Sequence, residues 1–292
     1  MNFEKLISLD CKVLKNEPLA AHTSFKIGGP ADFFIEIPNE QALAVFLKDV
    51  GNEKFYILGG GTNVLFSDSG YRGIVLRFAD ENFNINGDEV TCGTGFPLPL
   101  LVSKTTEAGL SGLECCAGIP GTVGGAVLGN AGSATQAIGD VVESVEAFVH
   151  RNGVWKKETI SAENAGFDYR KSGLQNCIIT SVAFTLKNAG KNDILKAISE
   201  SINKRQKSQP LNFPSAGCIF KNPKSGSAGK FIDEAGLKGK KIGGAQISEV
   251  HANFVVNTGN ATAADVLELA NMAKVAIKQK FNEDLEFEIK II

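Results

Sequence analysis

Two clusters of glycine constrain this chain more than any other feature. Gly59-Gly60-Gly61-Thr62-Asn63 follows the apolar run Phe55–Leu58, and Gly118-Ile119-Pro120-Gly121-Thr122-Val123-Gly124-Gly125-Ala126 continues to Gly129-Asn130-Ala131-Gly132. Glycine takes positive φ without strain and leaves the main chain bare for close approach. In the first cluster, successive N–H groups can form an anion nest, with the Thr62 hydroxyl and Asn63 amide beside it, and a diphosphate suits such a nest. The second holds six glycines in fifteen positions around one proline. Glycine disfavours helix there, so the expectation is a rigid loop lining a flat ligand. Neither cluster fits G-x-G-x-x-G opening a helix or G-x-x-x-x-G-K-[ST], the two common nucleotide fingerprints. The structural alternatives are a tight strand connection for the first cluster and a packing turn between close sheets for the second.

Composition narrows the classes. With 292 residues, 43 % of them hydrophobic, and a net charge of −2, the chain can bury a large core and does not read as disordered. Its length suggests two or three domains. No apolar stretch reaches the roughly 18 residues of a membrane span. The opening MNFEKLISLDCKVLKNEP carries acidic residues and no apolar signal region. Six cysteines without a C-x-x-C pair, and three histidines, give no metal-site pattern. Thiols without a signal segment point to the cytoplasm. Vicinal Cys115 and Cys116 read as small residues beside a packed loop rather than as a redox pair. Charge is uneven: Lys204 to Lys241 holds nine Lys/Arg against Asp233 and Glu234, a local net of +7. Such a segment suits anionic small ligands better than nucleic acid, which needs a basic domain with a reading motif.

Periodicity supplies the elements. Helices are predicted at Asn39–Val50, Leu98–Ala108 (stopped by Gly109), Asp193–Lys207, Lys230–Ala235 and Ala263–Phe281. The last has Val266, Leu269, Ala270, Ala273 and Ile277 as its buried stripe. Strands are predicted at Phe55–Leu58, Gly73–Phe78, Glu89–Thr94, Cys177–Leu186, Gly217–Phe220, Asn253–Val256 and Leu285–Ile292. A hairpin joins Val141–Val149 to Val154–Ile160 across Asn152-Gly153. The regular βαβ alternation of a doubly wound fold is missing, so the class is α+β with mixed sheets. Composition turns from acidic to basic near 190–210, which marks a boundary.

GGGTN after a strand, then AGIPGTVGGAV with NAG soon after, resembles the flavin-binding domain of the vanillyl-alcohol-oxidase type. HTSFKIGGPAD (22–32), FDYRKS (167–172), SAGCIFKNP (215–223), GKFIDEAGLKG (229–239), GGAQISEVHANFVVN (243–257) and the terminal EFEIKII extend the likeness. Together they resemble the UDP-N-acetylenolpyruvoylglucosamine reductase family, in its shorter type II branch, over nearly the whole chain. The resemblance implies two FAD-binding subdomains, 1–85 and 86–200, and a smaller α+β substrate-binding domain, 201–292. It also implies noncovalent FAD, NADPH as reductant, a UDP-sugar enolpyruvate as substrate, and a role in peptidoglycan precursor synthesis. No metal, nucleic acid or membrane partner is expected, and oligomeric state is left open.

Residue roles follow from the same resemblance. Gly59, Gly60, Gly61, Thr62 and Asn63 would hold the FAD diphosphate. Gly118, Ile119, Gly121, Thr122, Gly124 and Gly125 would line the isoalloxazine and ribityl side. Arg170 matches the family's catalytic arginine, and Tyr169, Lys221 and Asn222 would contact substrate. Strand alternation alone puts Glu286 and Glu288 on one face; the family register selects Glu288 as the catalytic glutamate. Cys218 stands where the family usually has a proton-donating serine. A thiol, with an unperturbed pKa of about 8.5, is the stronger acid, so activity is expected to survive the exchange; the alternative is a buried inert Cys218 with the acid role moved to Glu288. Gly129-Asn130 stands where Met-Asn is more usual. The basic segment would serve the anionic substrate and NADPH in a cleft beside the flavin domain. The alternatives are another FAD-dependent oxidase or dehydrogenase of the same superfamily, and a noncatalytic flavin- or nucleotide-sugar-binding protein.

Overall fold

The computed structural model describes residues 1–133 and 135–292. Two compact units emerge, both discontinuous in sequence. The first comprises Met1–Lys15, Phe33–Gly59 and Gly73–Asn203, and the second Asn16–Asp32, Gly60–Arg72 and Lys204–Ile292. The division falls inside the first glycine cluster, between Gly59 and Gly60.

The first unit is organised around two sheets. Lys12–Pro18, Pro30–Ile37, Tyr71–Phe78 and Phe55–Ile57 lie side by side in that order, the last pair parallel. The first three of these strands also carry the chain across the division. Against this sheet packs the helix Glu40–Asp49, capped by the Asn39 side chain, which accepts from Ala42 N–H at 3.0 Å. Its Leu43 and Phe46 are fully buried with Ile35, Ile37 and Leu76. Burying such a side chain contributes about 1.5–3 kcal/mol.

The second sheet is antiparallel, in the order Val154–Ser161, Val142–Arg151, Cys177–Thr185, Glu89–Gly93, Phe83–Asn86. Its hairpin turns at Asn152 (φ 52) and Gly153 (φ 78), the two left-handed positions that Asn-Gly favours. The helices Leu98–Glu107 and Val123–Leu128 cover it, with Leu101, Val123, Val127 and Val182 in the shared core. Cys115 and Cys116 are buried in that core, their sulfurs 3.8 Å apart as free thiols. Burial pushes the Cys92 thiol up to about 12, which keeps it protonated and unreactive.

In the second unit the nineteen-residue helix Ala263–Phe281 is the main wall. All five positions of the expected stripe are buried. Its N-terminus has a capping box between Thr262 and Asp265, and Asp68 accepts from the N–H groups of Ala263 and Ala264 at 2.7 and 3.0 Å. A three-stranded sheet, Lys241–Ile242, Ala245–Ile247 and Val255–Asn257, packs on it. No helix among the described residues is long and apolar enough to cross a membrane.

Three expectations change. Val123–Leu128 is a short helix inside the second glycine cluster, not loop throughout. Cys218 and Phe220 form isolated bridges, to Phe254 and Phe287, instead of a regular strand. The terminal strand shrinks to Lys290–Ile291; before it only Phe287 forms a bridge, although Leu285 and Ile289 keep the buried alternate positions.

Candidate functional site

Within the first unit the glycine clusters meet. A Cβ on Gly59 would lie 3.0 Å from the Thr122 hydroxyl oxygen and 3.7 Å from Gly125 Cα. Thr122 is the N-cap of the helix Val123–Leu128 and accepts from Gly125 N–H at 3.4 Å. The cluster is stapled to the stretch before the helix Leu98–Glu107: Gly124 N–H donates to the Thr94 carbonyl (3.0 Å), Val123 N–H to Phe96 (2.9 Å), and Leu98 N–H to Gly121 (3.0 Å). A Cβ on Gly124 would sit 2.6 Å from Thr94 Cβ, so this glycine serves helix packing. Capping and that close approach outweigh the poor helix propensity of glycine.

Gly125 and Gly129 have no such packing reason. A Cβ on Gly125 would touch only the Thr122 hydroxyl, at 3.6 Å, and one on Gly129 only the Gly125 carbonyl, at 3.4 Å. Gly118 and Gly121 take φ 75 and 115. Gly118, Pro120 and Gly125 are exposed, while Ala117, Val123 and Ala126 beneath them are buried. The cluster therefore has one packed side and one bare main-chain side, which fits a flat ring system lying on it. Ile119 packs partly into the core and braces the loop from below.

Arg170 and Tyr169 occupy the two central positions of a tight turn closed by Asp168 and Lys171, whose N–H groups donate to each other's carbonyls at 3.0 and 3.2 Å. Arg170 has φ 56, a left-handed value normally left to glycine at that turn position. Its guanidinium lies 5.4 Å from the centre of the Tyr169 ring. Tyr169 is 47 % exposed. Hydrogen bonds from Tyr169 N–H and Lys171 hold the Asp168 carboxyl below the usual carboxylate range. Ser172, 4 % exposed, donates to the Leu128 carbonyl at 2.9 Å and ties the turn to the end of the second glycine cluster.

The second unit gathers the remaining residues. Gly61 (φ 65) passes so close to His22 that any Cβ would strike the His22 carbonyl oxygen. Its own carbonyl accepts from Ser24 N–H at 3.0 Å, and the Ser24 hydroxyl donates to the Ser215 carbonyl at 2.6 Å. Asn63 donates through its side chain to the Glu288 carbonyl (3.3 Å), and its own carbonyl accepts from Lys290 N–H (3.0 Å). The Cys218–Lys221 stretch lies between two partners. Ile219 N–H donates to Asn253, Glu288 N–H to Ile219, and Lys221 N–H to Glu286, at 2.8, 2.8 and 2.9 Å. Cys218 and Glu288 are thus held on neighbouring backbone, and both are half-buried.

Side chains sort the nearby candidates. Glu286 is 79 % exposed and pairs with the Lys221 ammonium at 3.5 Å. Asn222 accepts from Ala228 N–H at 3.0 Å, at the start of the helix Ala228–Glu234. Of the basic segment, Lys230 and Lys238 pair with Glu234 and Asp233, the two acids already counted in its net charge, and Lys221 pairs with Glu286 from outside it. Among the described residues no cluster of His, Cys, Asp and Glu could hold a metal.

Two residues of this site carry no role in the sequence reading. Ser24 ties Gly61, 37 positions away, to Ser215, 191 positions away. Asn253, 2 % exposed, brackets the Phe220 peptide, accepting from its N–H at 3.0 Å and donating to its carbonyl at 2.7 Å. A polar Asn inside the apolar run Ala252–Val256 is the available signal, because a buried amide must find partners. The His251 Nδ1 accepts from Asn253 N–H at 3.2 Å, and burial lowers its pKa.

Comparisons agree with the two-part character of the chain. Residues 31–157 match the model of an FAD binding domain, and residues 209–292 match the C-terminal domain of UDP-N-acetylenolpyruvoylglucosamine reductase. The UDP-N-acetylenolpyruvoylglucosamine reductase 2 of Symbiobacterium thermophilum is 40 % identical over 286 residues, 96 % of this chain and 92 % of that protein. The reductase of Carboxydothermus hydrogenoformans is 41 % identical over 290 residues, 96 % of this chain and 94 % of its own length. The crystal structure of the reductase from Thermus caldophilus superposes with a TM-score of 0.83 at 38 % identity, covering 96 % of this chain and 98 % of that one. The bare main-chain face of the second glycine cluster and full-length likeness at this level lead to one conclusion: the chain belongs to the UDP-N-acetylenolpyruvoylglucosamine reductase family of FAD-containing oxidoreductases.

Proposed function

We infer that this chain reduces UDP-N-acetylglucosamine enolpyruvate to UDP-N-acetylmuramate with NADPH, in the cytoplasmic synthesis of peptidoglycan precursors. The observation that carries the reading is the likeness to reductases along 96 % of the chain at about 40 % identity, with Arg170 and Glu288 both present in the matching motifs. FAD, when bound, would supply hydride transfer from NADPH to C3 of the enolpyruvyl double bond. Gly59 to Asn63 would hold its diphosphate, and Gly118, Ile119, Gly121, Thr122, Gly124 and Gly125 its ring and ribityl side.

The protein's part is to manage charge and the proton. Hydride arrival at C3 leaves negative charge at C2 and on the adjoining carboxylate. Arg170, a permanent planar cation, would bind the carboxylate and stabilise that charge as it develops. Cys218 would deliver a proton to C2 from its thiol and be left as thiolate, with Glu288 beside it on the neighbouring backbone as the second acid-base group. Tyr169, Lys221 and Asn222 would contact substrate. The basic segment supports binding of anionic ligands, even with three lysines paired. The two core clusters of the first unit support two flavin subdomains drawn from 1–85 and 86–200, while 16–32 and 60–72 join 204–292 in the unit proposed to bind substrate. Purified yellow protein should oxidise NADPH rapidly only when the enolpyruvyl nucleotide is added; a rate indifferent to that nucleotide, or one raised instead by a simple alcohol, would reject the reading.

A further inference from the structure

We propose that Asn130 is a positioning residue for Arg170, an amide clamp that fixes the turn presenting the guanidinium. The proposal rests on the role given to Arg170 above. Arg170 sits at the glycine position of its turn with φ 56, and a side-chain-bearing residue stays in that region only where its surroundings impose it. The clamp supplies that constraint. Asn130 is 8 % exposed. Its side-chain N–H₂ donates to the Asp168 carbonyl at 3.0 Å, the same carbonyl that receives Lys171 N–H across the turn. Its Oδ1 accepts from Gly139 N–H at 3.0 Å.

Two further details show how far the fold is arranged around this amide. Asn130 itself is left-handed, at φ 45, a conformation Asn tolerates better than most residues. A Cβ on Gly139 would come 2.7 Å from both Asn130 Oδ1 and the Phe167 ring, so glycine there admits the clamp. Both ends of the amide are engaged by protein groups. Asn130 therefore acts through Arg170 and not on substrate.

The test uses the FAD-loaded full chain. Asn130→Gly keeps the left-handed backbone without strain and deletes the amide. Asn130→Asp keeps the shape and the acceptor, but turns an oxygen toward the Asp168 carbonyl. Both variants should take up FAD and be reduced by NADPH as the parent is. Reoxidation by the enolpyruvyl nucleotide should slow roughly tenfold to a hundredfold, and amide hydrogen exchange at 169–171 should quicken. In an Arg170→Ala background, Asn130→Gly should slow reoxidation no further, because the two act as one unit. Parent-like reoxidation in both Asn130 variants, loss of NADPH reduction along with it, or multiplicative slowing in the double variant would overturn the proposal. Parent-like reoxidation in Arg170→Ala alone would instead overturn the role of Arg170.

Discussion

Arg170 holds a left-handed backbone that suits glycine (φ 56), so stability and function pull in opposite directions at this residue. Arg170→Gly should match or exceed the parent in thermal stability, by up to about 1 kcal/mol, while losing reoxidation by substrate. A melt and a reoxidation trace on the same sample check this. Cys218 gives the second residue-scale prediction. Cys218→Ser should retain turnover, and Cys218→Ala should lose about a hundredfold or more if the thiol is the acid; parent-like turnover in the alanine variant would remove Cys218 from the mechanism. His251 gives a third. Burial lowers its pKa in the fold, so below its ordinary value of about 6.5 the unfolded chain takes up a proton that the native state resists. Its stability contribution is complete above that value and falls away as pH drops toward the folded pKa. His251→Gln should flatten that part of the pH profile of unfolding. The sequence made Arg170 and Cys218 legible as motif members, but neither the turn geometry nor the amide at Asn253 follows from residue type alone.

At the scale of elements, the helix Val123–Leu128 separates two uses of glycine. Gly124→Ala should overpack against Thr94 and cost about 1–3 kcal/mol even without cofactor. Gly125→Ala meets almost no protein atoms; it should leave the apoprotein as stable as the parent, or slightly more so, yet weaken FAD retention. Equal FAD content in parent and Gly125→Ala would remove that face from the cofactor site. The long helix Ala263–Phe281 was legible to the residue because its apolar period runs over nineteen positions and ends in recognisable caps. Val123–Leu128 was not, since a six-residue helix with two glycines owes its existence to an N-cap and to a neighbour's shape. The stretch before Lys290 was misread as regular strand because its partners, Ile219 and Lys221, are distant in sequence and engage it only briefly.

Across the whole molecule, the α+β class and the flavin-binding character were legible from two glycine clusters and a set of motifs. The discontinuity of the units was not. Residues 16–32 and 60–72 belong with 204–292, and what ties them acts across great sequence distances: Val64–Leu65 pairs with Lys290–Ile291, Phe25, Ile27 and Leu65 pack in the second unit's core, and Asn257 bonds the Phe25 carbonyl and Asp68 the Ala263 N–H. Local periodicity carries no signal for such pairs. Asn63, bonded to the Glu288 carbonyl and to Lys290 N–H, joins the loop near residue 60 to the C-terminal stretch in the same way. Reducing equivalents taken from NADPH should leave on the enolpyruvyl nucleotide. The decisive measurement excludes oxygen: the flavin of the purified protein is bleached with one equivalent of NADPH and that nucleotide is then added. Rapid return of the yellow colour with stoichiometric UDP-N-acetylmuramate is expected; a flavin that stays bleached would show that the nucleotide is not the acceptor.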